Sequence, residues 1–198
     1  MMNPDPIALF REWFDMAQRT DLPEPSAAVL ATVDDGGRPS ARVVLLRGLD
    51  ERGFVFYTNM ESRKGRDLGG ERGNGAPAAL CVYWPTLNLQ VRIDGRTEVV
   101  SAAEADAYWA TRPRGHQVAA YASRQSEDLP GGRSQLEATF AEWDRKLPHE
   151  VIPRPSYWSG YRLIPSALEF WEGRGNRLHH RMLYERGAAG WIVRILSP

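Results

Sequence analysis

From Ser26 to Val100 the chain reads as strand after strand, and the one helical signal among them, near Ser62, is too short to carry a parallel crossover. Ala27-Ala28-Val29-Leu30-Ala31-Thr32-Val33 runs into Asp34-Asp35-Gly36-Gly37, a strong hairpin signal, and Arg42 to Arg47 reads as the return strand. Gly53 to Thr58 follows as a third strand, then Ala76 to Trp84 and Leu87 to Val100. In the last of these Leu89, Val91 and Ile93 alternate with Gln90, Arg92 and Asp94, the period of a half-buried strand. Four short strands are expected after the proline-rich connector Pro148 to Pro155, near 157–163, 167–172, 177–185 and 190–196. Helices gather around them. Asp5-Pro6 opens one, with an acidic N-cap and proline at the first helical position. Ser101-Ala102-Ala103-Glu104 is a capping box that opens another to about Thr111, and 115–123 and 133–146 look helical. The expected fold is mainly β with added helices: an antiparallel barrel, not an alternating βαβ sheet, in one domain over 1–198.

Composition removes several function classes. Formal net charge is zero, so no global positive field draws the chain to nucleic acid or to a membrane surface, and anion recognition has to come from local clusters. No apolar run reaches spanning length and the N-terminus lacks a basic-then-apolar signal pattern, so a soluble cytoplasmic protein is expected. The single cysteine, Cys81, sits in an apolar run and has no internal disulfide partner. His116, His149, His179 and His180 show no zinc spacing, and no metal site is expected. GxGxxG after a strand, GxSxG and Walker A sequences are all absent.

Several clusters carry anion-binding chemistry. In Arg177-Leu178-His179-His180-Arg181, read as a strand, Arg177, His179 and Arg181 share one face, and an anion over that face would offset their mutual repulsion. An exposed edge strand with solvated charges is the competing reading. After Thr58, Ser62 caps a helix with Arg63 and Lys64 in its first turn, where free N–H groups and two cations make a phosphate site. A Schiff base through Lys64 is conceivable, but the basic turn suits phosphate better. Tyr108 and Arg112 stand four apart on the capped helix, an aromatic and a guanidinium for a ring and its phosphate, with His116 past Pro113. Arg42 and Arg47 bracket Val43-Val44-Leu45-Leu46 on opposite faces of their strand. Gln90 shares a polar face with Arg92, and Gln125-Ser126 ends a helical stretch.

Together these segments resemble the pyridoxamine 5'-phosphate oxidase family of FMN-binding split barrels, from about Asp5 to Pro198. The likeness rests on Arg42-Val43-Val44-Leu45-Leu46-Arg47, Phe54-Val55-Phe56-Tyr57-Thr58-Asn59, Ser62-Arg63-Lys64, Arg112-Pro113-Arg114 and Gln125-Ser126. It rests above all on the C-terminal run Trp158-Ser159-Gly160-Tyr161, Glu169-Phe170-Trp171-Glu172-Gly173, Arg177-Leu178-His179, Arg181 and Leu196-Ser197-Pro198. The resemblance implies a homodimer with FMN in clefts between subunits and a C-terminal dimerisation and active-site segment over about 153–198. It implies FMN contacts from Arg42 through Arg47, Tyr57, Thr58, Arg63, Lys64, Gln90, Gln125, Ser126, Trp171 and Arg181. Substrate contacts would come from Arg47, Tyr108, Arg112, His116, Arg177, Leu178 and His179, with Arg177 and His179 nearest the chemistry. The implied reaction oxidises pyridoxamine or pyridoxine 5'-phosphate at its 4' carbon, with molecular oxygen as acceptor and hydrogen peroxide as product. A dihydrophenazine oxidase and a non-catalytic binder of flavin or pyridoxal phosphate are the alternatives within the fold. The chain departs from the family pattern in three ways. It begins almost at the first helix, where relatives often carry a basic, tyrosine-containing segment that closes over substrate. It has Arg47 where lysine is expected and His116 where serine is frequent, and it has His180 where aspartate is common.

Overall fold

The computed structural model describes residues 4–69 and 75–198. Helix α1 (Pro6–Gln18) starts as expected: Asp5 Oδ1 accepts from the Ile7 amide at 2.9 Å, and Pro6 takes a position that needs no donor. Its inward face buries Ile7 and Phe10, and the Phe10 ring meets Phe54 edge-on at 4.8 Å. The first hairpin pairs β1 (Ala27–Val33) with β2 (Pro39–Leu45). Asp34 Oδ1 accepts from the Gly36 and Arg38 amides, and Gly37 at φ 77° occupies the left-handed region that side chains avoid.

A short strand that the sequence pattern missed, β3 (Gly48–Asp50), pairs with β4 (Gly53–Asn59). Helix α2 (Arg63–Asp67) is capped by Ser62, whose Oγ accepts from the Gly65 amide. Strands β5 (Pro77–Trp84) and β6 (Leu89–Val99) follow, the second starting after a 3-10 turn at Pro85–Leu87 instead of at Leu87. Helices α3 (Ala102–Thr111), α4 (Arg114–Ala122) and α5 (Gly132–Lys146) come next, and the reciprocal capping box of Ser101 and Glu104 opens α3. The chain closes with β7 (Trp158–Glu172), β8 (His180–Gly187) and β9 (Gly190–Leu196).

Two corrections concern this last region. The segments expected near 157–163 and 167–172 are one strand, β7, of 15 residues. Pro165 looks like a break, but it falls at a shift of register opposite Gly95, between the residues that pair with β4 (Trp158 to Leu163) and those that pair with β8 (Ala167 to Glu172). On the edge away from β6, neither β4 nor β8 reaches it. Gly95 is needed for the crossing, because a Cβ on it would stand 2.1 Å from the Ile164 carbonyl oxygen. The strand expected from 177 begins instead at His180. Gly175–Arg177 is a 3-10 turn with Asn176 at φ 56° and Arg177 at φ 61°. The alternation that put Arg177, His179 and Arg181 on one strand face therefore does not hold.

All nine strands join one antiparallel sheet in the order β2-β1-β5-β6-β7-β4-β3, with β8 and β9 carried on the far half of β7. The sheet curls until its ends meet. The Leu46 amide donates to Ser26 O at 2.9 Å, extending the β1–β2 pairing, and the Arg47 amide donates to Val55 O at 2.8 Å, which ties the end of β2 to β4. Inside lie Leu30, Phe54, Phe56, Leu80, Val91, Ile93, Tyr161 and Phe170, all essentially without solvent contact. A smaller cluster of Trp109, Val118, Leu147, Ile152 and Trp158 packs beneath α3 and α4.

Arg162, on the outward face of β7, is 3% exposed and joins the two halves electrostatically. Its Nη2 lies 2.6 Å from both Asp50 and Glu104, and Nη1 is 3.3 Å from Glu98. The hydrogen bond from Arg162 holds the Glu104 carboxyl below its ordinary range. Replacing Arg162 with Met leaves those carboxylates facing one another. Because those carboxylates are partly solvated, we expect urea unfolding at neutral pH to show a loss of about 1–3 kcal/mol. A carboxyl depressed in the folded state stabilises above its unfolded pKa and loses that contribution as pH falls through its folded value. The gap between the two proteins should therefore narrow as pH drops below ~4.

Candidate active site

A cleft of about 400 Å³ opens where β2, β4, the N-terminal end of β7 and α3 meet. Its floor is apolar and aromatic. Tyr57 stacks on Tyr108 at 4.0 Å between centroids, and Trp158 lies parallel to Tyr57 at 5.5 Å. Its charged lining residues are Arg47, Lys64 and Arg112, with His116 beside them, and no carboxylate is among the described residues that line it.

Each cation is held differently. Arg112 is not on α3 but at its C-cap, with extended backbone at φ −73° and ψ 139°. Its guanidinium lies 4.6 Å over the Trp158 ring and 5.2 Å from that of Trp109. Nη1 is buried with no hydrogen-bond partner, and burial pulls the guanidinium's pKa down. A desolvated cation with an unused donor in a cleft calls for an anion. Lys64 is buried on α2, and its Nζ donates to Thr58 Oγ1 at 3.2 Å and Ser62 Oγ at 3.3 Å. Burial first, then the nearby Arg42 charge, lower its pKa to about 8. Arg47 donates to Ser26 Oγ at 3.2 Å and pairs with Glu24 at 3.5 Å at the cleft's edge.

The remaining expected residues divide into those gathered here and those placed elsewhere. Val43, Val44, Leu45, Tyr57, Thr58 and Gln125 line the cleft, and Thr58 Oγ1 donates to Gln125 Oε1 at 3.4 Å. Leu46 turns into the core, on the far side of the wall that Arg47 forms. Arg42 sits behind the floor, bonded to Thr32 Oγ1 at 2.7 Å and paired with Asp67 at 3.5 Å. Arg63 points into a neighbouring charged groove beside Arg66 and Asp67, yet its charge still acts on Arg42. Arg42, Arg63 and Lys64 thus form a cationic group in which Asp67 offsets only part of the charge, a donor set suited to a phosphate. The five-residue α2 adds little dipole to it. Gln125-Ser126 lies past the end of α4 at Ala122, and Ser126, at φ 74°, is an exposed turn residue outside the lining. Arg114 is structural, since it clasps Asp144 and the carbonyls of Asp144 and Pro148.

A second group lies elsewhere on the outer face of the sheet. Gln90, Trp171 and Arg181 are neighbours across β6, β7 and β8. Arg181 is fixed by Glu169 and by the Ser197 carbonyl, both at 2.8 Å. The His179 ring is 4.7 Å from Trp171, and its Nδ1 accepts from the Arg174 amide. Arg177 and Leu178 are exposed in the preceding turn. Trp158, at the cleft, stands on the half of β7 that pairs with β4, and Trp171 on the half that pairs with β8. One chain therefore presents two half-sites.

Sequence reasoning passed over Trp158, which borders the cleft and touches both Tyr108 and Arg112. It also passed over the carboxylates behind the cations: Glu24, Asp67 and Glu169. Trp158 opens the quoted Trp-Ser-Gly-Tyr run, so a signal was present, but nothing in spacing says which ring will meet a guanidinium formed 46 positions away.

A curled antiparallel barrel with a cleft lined by Arg47, Lys64 and Arg112 beside an aromatic stack is a fold and site suited to an anionic aromatic ligand. The chain belongs to the pyridoxamine 5'-phosphate oxidase family. Residues 14–146 match the family described as pyridoxamine 5'-phosphate oxidase, and residues 158–198 match the pyridoxine 5'-phosphate oxidase C-terminal dimerisation region. The chain is 53% identical over 196 residues to a pyridoxine/pyridoxamine 5'-phosphate oxidase of Cupriavidus taiwanensis, covering 98% of this chain and 90% of that protein. It is 51% identical to one of Myxococcus xanthus, covering 100% and 94%. Among solved structures it resembles PhzG from Burkholderia lata 383 in complex with tetrahydrophenazine-1-carboxylic acid, with a TM-score of 0.90, 35% identity, and coverage of 99% and 94%.

Lys64 generates a pH test. Its ammonium is complete below about 8 and is lost as pH rises through that value. Binding of a phosphate ester near Lys64 should therefore weaken as pH rises from 7 to 9, by up to roughly tenfold per unit above the pKa. Lys64→Met should bind more weakly and flatten that slope in calorimetric titrations.

Proposed function

We propose that the protein is an FMN-dependent oxidase that converts pyridoxamine 5'-phosphate and pyridoxine 5'-phosphate to pyridoxal 5'-phosphate, with oxygen as acceptor. The observation that carries this reading is Arg112: a half-buried guanidinium with a buried, unpartnered Nη1, at a cleft lined by two other cations and an aromatic stack. Phosphate supplies the missing acceptor, and the stack suits a pyridine ring. A second cationic group, Arg42, Arg63 and Lys64, suits the phosphate of FMN.

When bound, FMN supplies the two-electron acceptor for hydride from the substrate's 4' carbon and passes the electrons to oxygen, giving hydrogen peroxide. The protein's part is binding and orientation. Arg112, with Tyr108 on the preceding turn, holds the substrate phosphate, and Arg47 approaches from the opposite wall. Lys64, carried on hydroxyls that leave its charge intact, anchors the cofactor phosphate together with Arg42 and Arg63. Thr58 and Gln125 offer neutral hydrogen bonds alongside. From the amine, loss of hydride and a proton leaves an imine that water converts to the aldehyde and ammonia. From the alcohol, the aldehyde forms directly.

The second half-site belongs to this reading through a homodimer. The dimerisation-region match and the exposed apolar side chains on the barrel's outer face, with Val43 63% and Val29 41% exposed, support pairing of two copies. In that pairing Arg177 and His179 of one subunit cover the substrate in the other's cleft. Gln90, Trp171 and Arg181 would help hold the flavin, and the fixed Arg181 cation would favour negative charge on it. Two adjacent residues in the left-handed region, Asn176 and Arg177, hold the turn in a form that isolated chains disfavour, which is common where a side chain must be presented.

Mixing the holoenzyme anaerobically with pyridoxamine 5'-phosphate tests the reading. Flavin absorbance should bleach promptly and return on admitting air. No bleaching with either B6 phosphate, but bleaching with a reduced phenazine carboxylate, would move the assignment toward the kind of ligand in the PhzG structure. Arg112→Ala should raise KM for the phosphorylated substrate by about 10- to 100-fold, the range for losing a charge-assisted hydrogen bond.

A further inference from the structure

Arg112 is held in an unusual way for a half-buried cation. Guanidiniums placed under protein are ordinarily neutralised by carboxylates, as Arg162 is by Asp50, Glu98 and Glu104 a short distance away. Arg112 has no such partner. Trp158 and Trp109 stand against it instead, their ring centroids 4.6 Å and 5.2 Å from its central carbon. Each ring is fixed by other contacts. The Trp109 indole N–H donates to the Ile152 carbonyl at 2.7 Å, and Gln117 donates to the Trp109 carbonyl at 2.8 Å. Trp158 is 5% exposed, pairs with Asn59 as the first residue of β7, and its carbonyl accepts from Arg154 at 2.6 Å. Its ring also lies parallel to Tyr57 and to Tyr108, at 5.5 Å and 6.1 Å, and packs edge-on against Trp109 at 4.9 Å.

We propose that Trp158, seconded by Trp109, is a positioning residue for phosphate selectivity: its ring face holds the Arg112 guanidinium in place without giving it a competing acceptor. The proposal rests on the reading of Arg112 as the substrate-phosphate ligand. Its physical basis is that a carboxylate would hold Arg112 equally firmly, but by occupying the N–H edge that the phosphate needs and by cancelling the charge that attracts it. An aromatic face attracts the cation through its quadrupole, from above the guanidinium plane, and leaves the in-plane donors free. Its Nη1 is buried and without a hydrogen-bond partner, so that donor is available to a ligand. The clamp is assembled before any ligand arrives, so the ordering of a long side chain is not charged against binding.

The test is a selectivity ratio, which general damage to the fold does not move. In the FMN-loaded dimer, calorimetry compares 4-deoxypyridoxine 5'-phosphate, which has no oxidisable 4' substituent, with 4-deoxypyridoxine itself. Wild type should prefer the phosphorylated compound strongly. Trp158→Leu should cut that preference about tenfold, and Trp158→Phe, which keeps a ring face, should restore most of it. Should Trp158→Leu fail to fold, fluorinated tryptophans placed at position 158 alone weaken that ring's quadrupole with little change in its shape. The preference should then fall stepwise with fluorine number. A preference unchanged within twofold in Trp158→Leu, or flat across the fluorinated series, overturns the proposal, as does a wild type that shows no preference for the phosphate. Full clamp behaviour in a protein that oxidises neither B6 phosphate would instead overturn the function proposed above and leave this inference standing.

Discussion

Strand β7 must satisfy its backbone along both edges over 15 residues, and no single neighbour is long enough to do so on the side away from β6. The chain solves this by dividing that edge, with β4 on the first half and β8 on the second. The division is what splits the barrel. Up to Leu163 the strand belongs to the closed sheet around Tyr161 and Phe56, and beyond Pro165 it carries the β8–β9 hairpin outward. The cleft sits at the first half and the Gln90–Trp171–Arg181 row at the second, so one strand sets both the presence of two half-sites and their separation. Buried ladder hydrogen bonds leave little freedom in this arrangement, because any unpaired amide there costs about 1–3 kcal/mol.

The cations form a graded series set by what lies behind each. Arg162 is neutralised and purely structural. Arg42 is partly offset by Asp67, and Arg47 by a half-exposed Glu24 whose carboxyl is kept ionised by Ser26 and Arg47. Lys64 rests on hydroxyls and Arg112 on aromatic faces, with no carboxylate against either side chain. The charge left uncompensated therefore increases toward the cleft. Net charge summed over the chain, which is zero, conceals this entirely.

Much of the fold was legible in the sequence. The caps at Asp5, Ser62 and Ser101, the Asp34–Gly37 turn and the alternation along β6 are local events. They involve residues within four positions of one another, and local hydrogen-bond geometry is enough to decide them. The misreadings have a common cause. Pro165 reads as a break unless one knows that it pairs with β6 alone, between the reaches of β4 and β8, and Arg177 reads as the start of a strand because its left-handed backbone is not a glycine's.

The candidate site shows the same boundary. Residue type and order alone determined that this chain carries a family's set of cations and aromatics, since those are written in its motifs. Which of them share a cavity was decided only by the folded chain. Lys64 lines the cleft with Arg42 set close behind it, Arg63 was turned into the next groove, and Arg177 with His179 was moved to another part of the surface. The reason is physical: a cation's behaviour depends on its desolvation and on the groups within a few ångströms of it, and for Arg112 those are rings contributed by both α3 and β7.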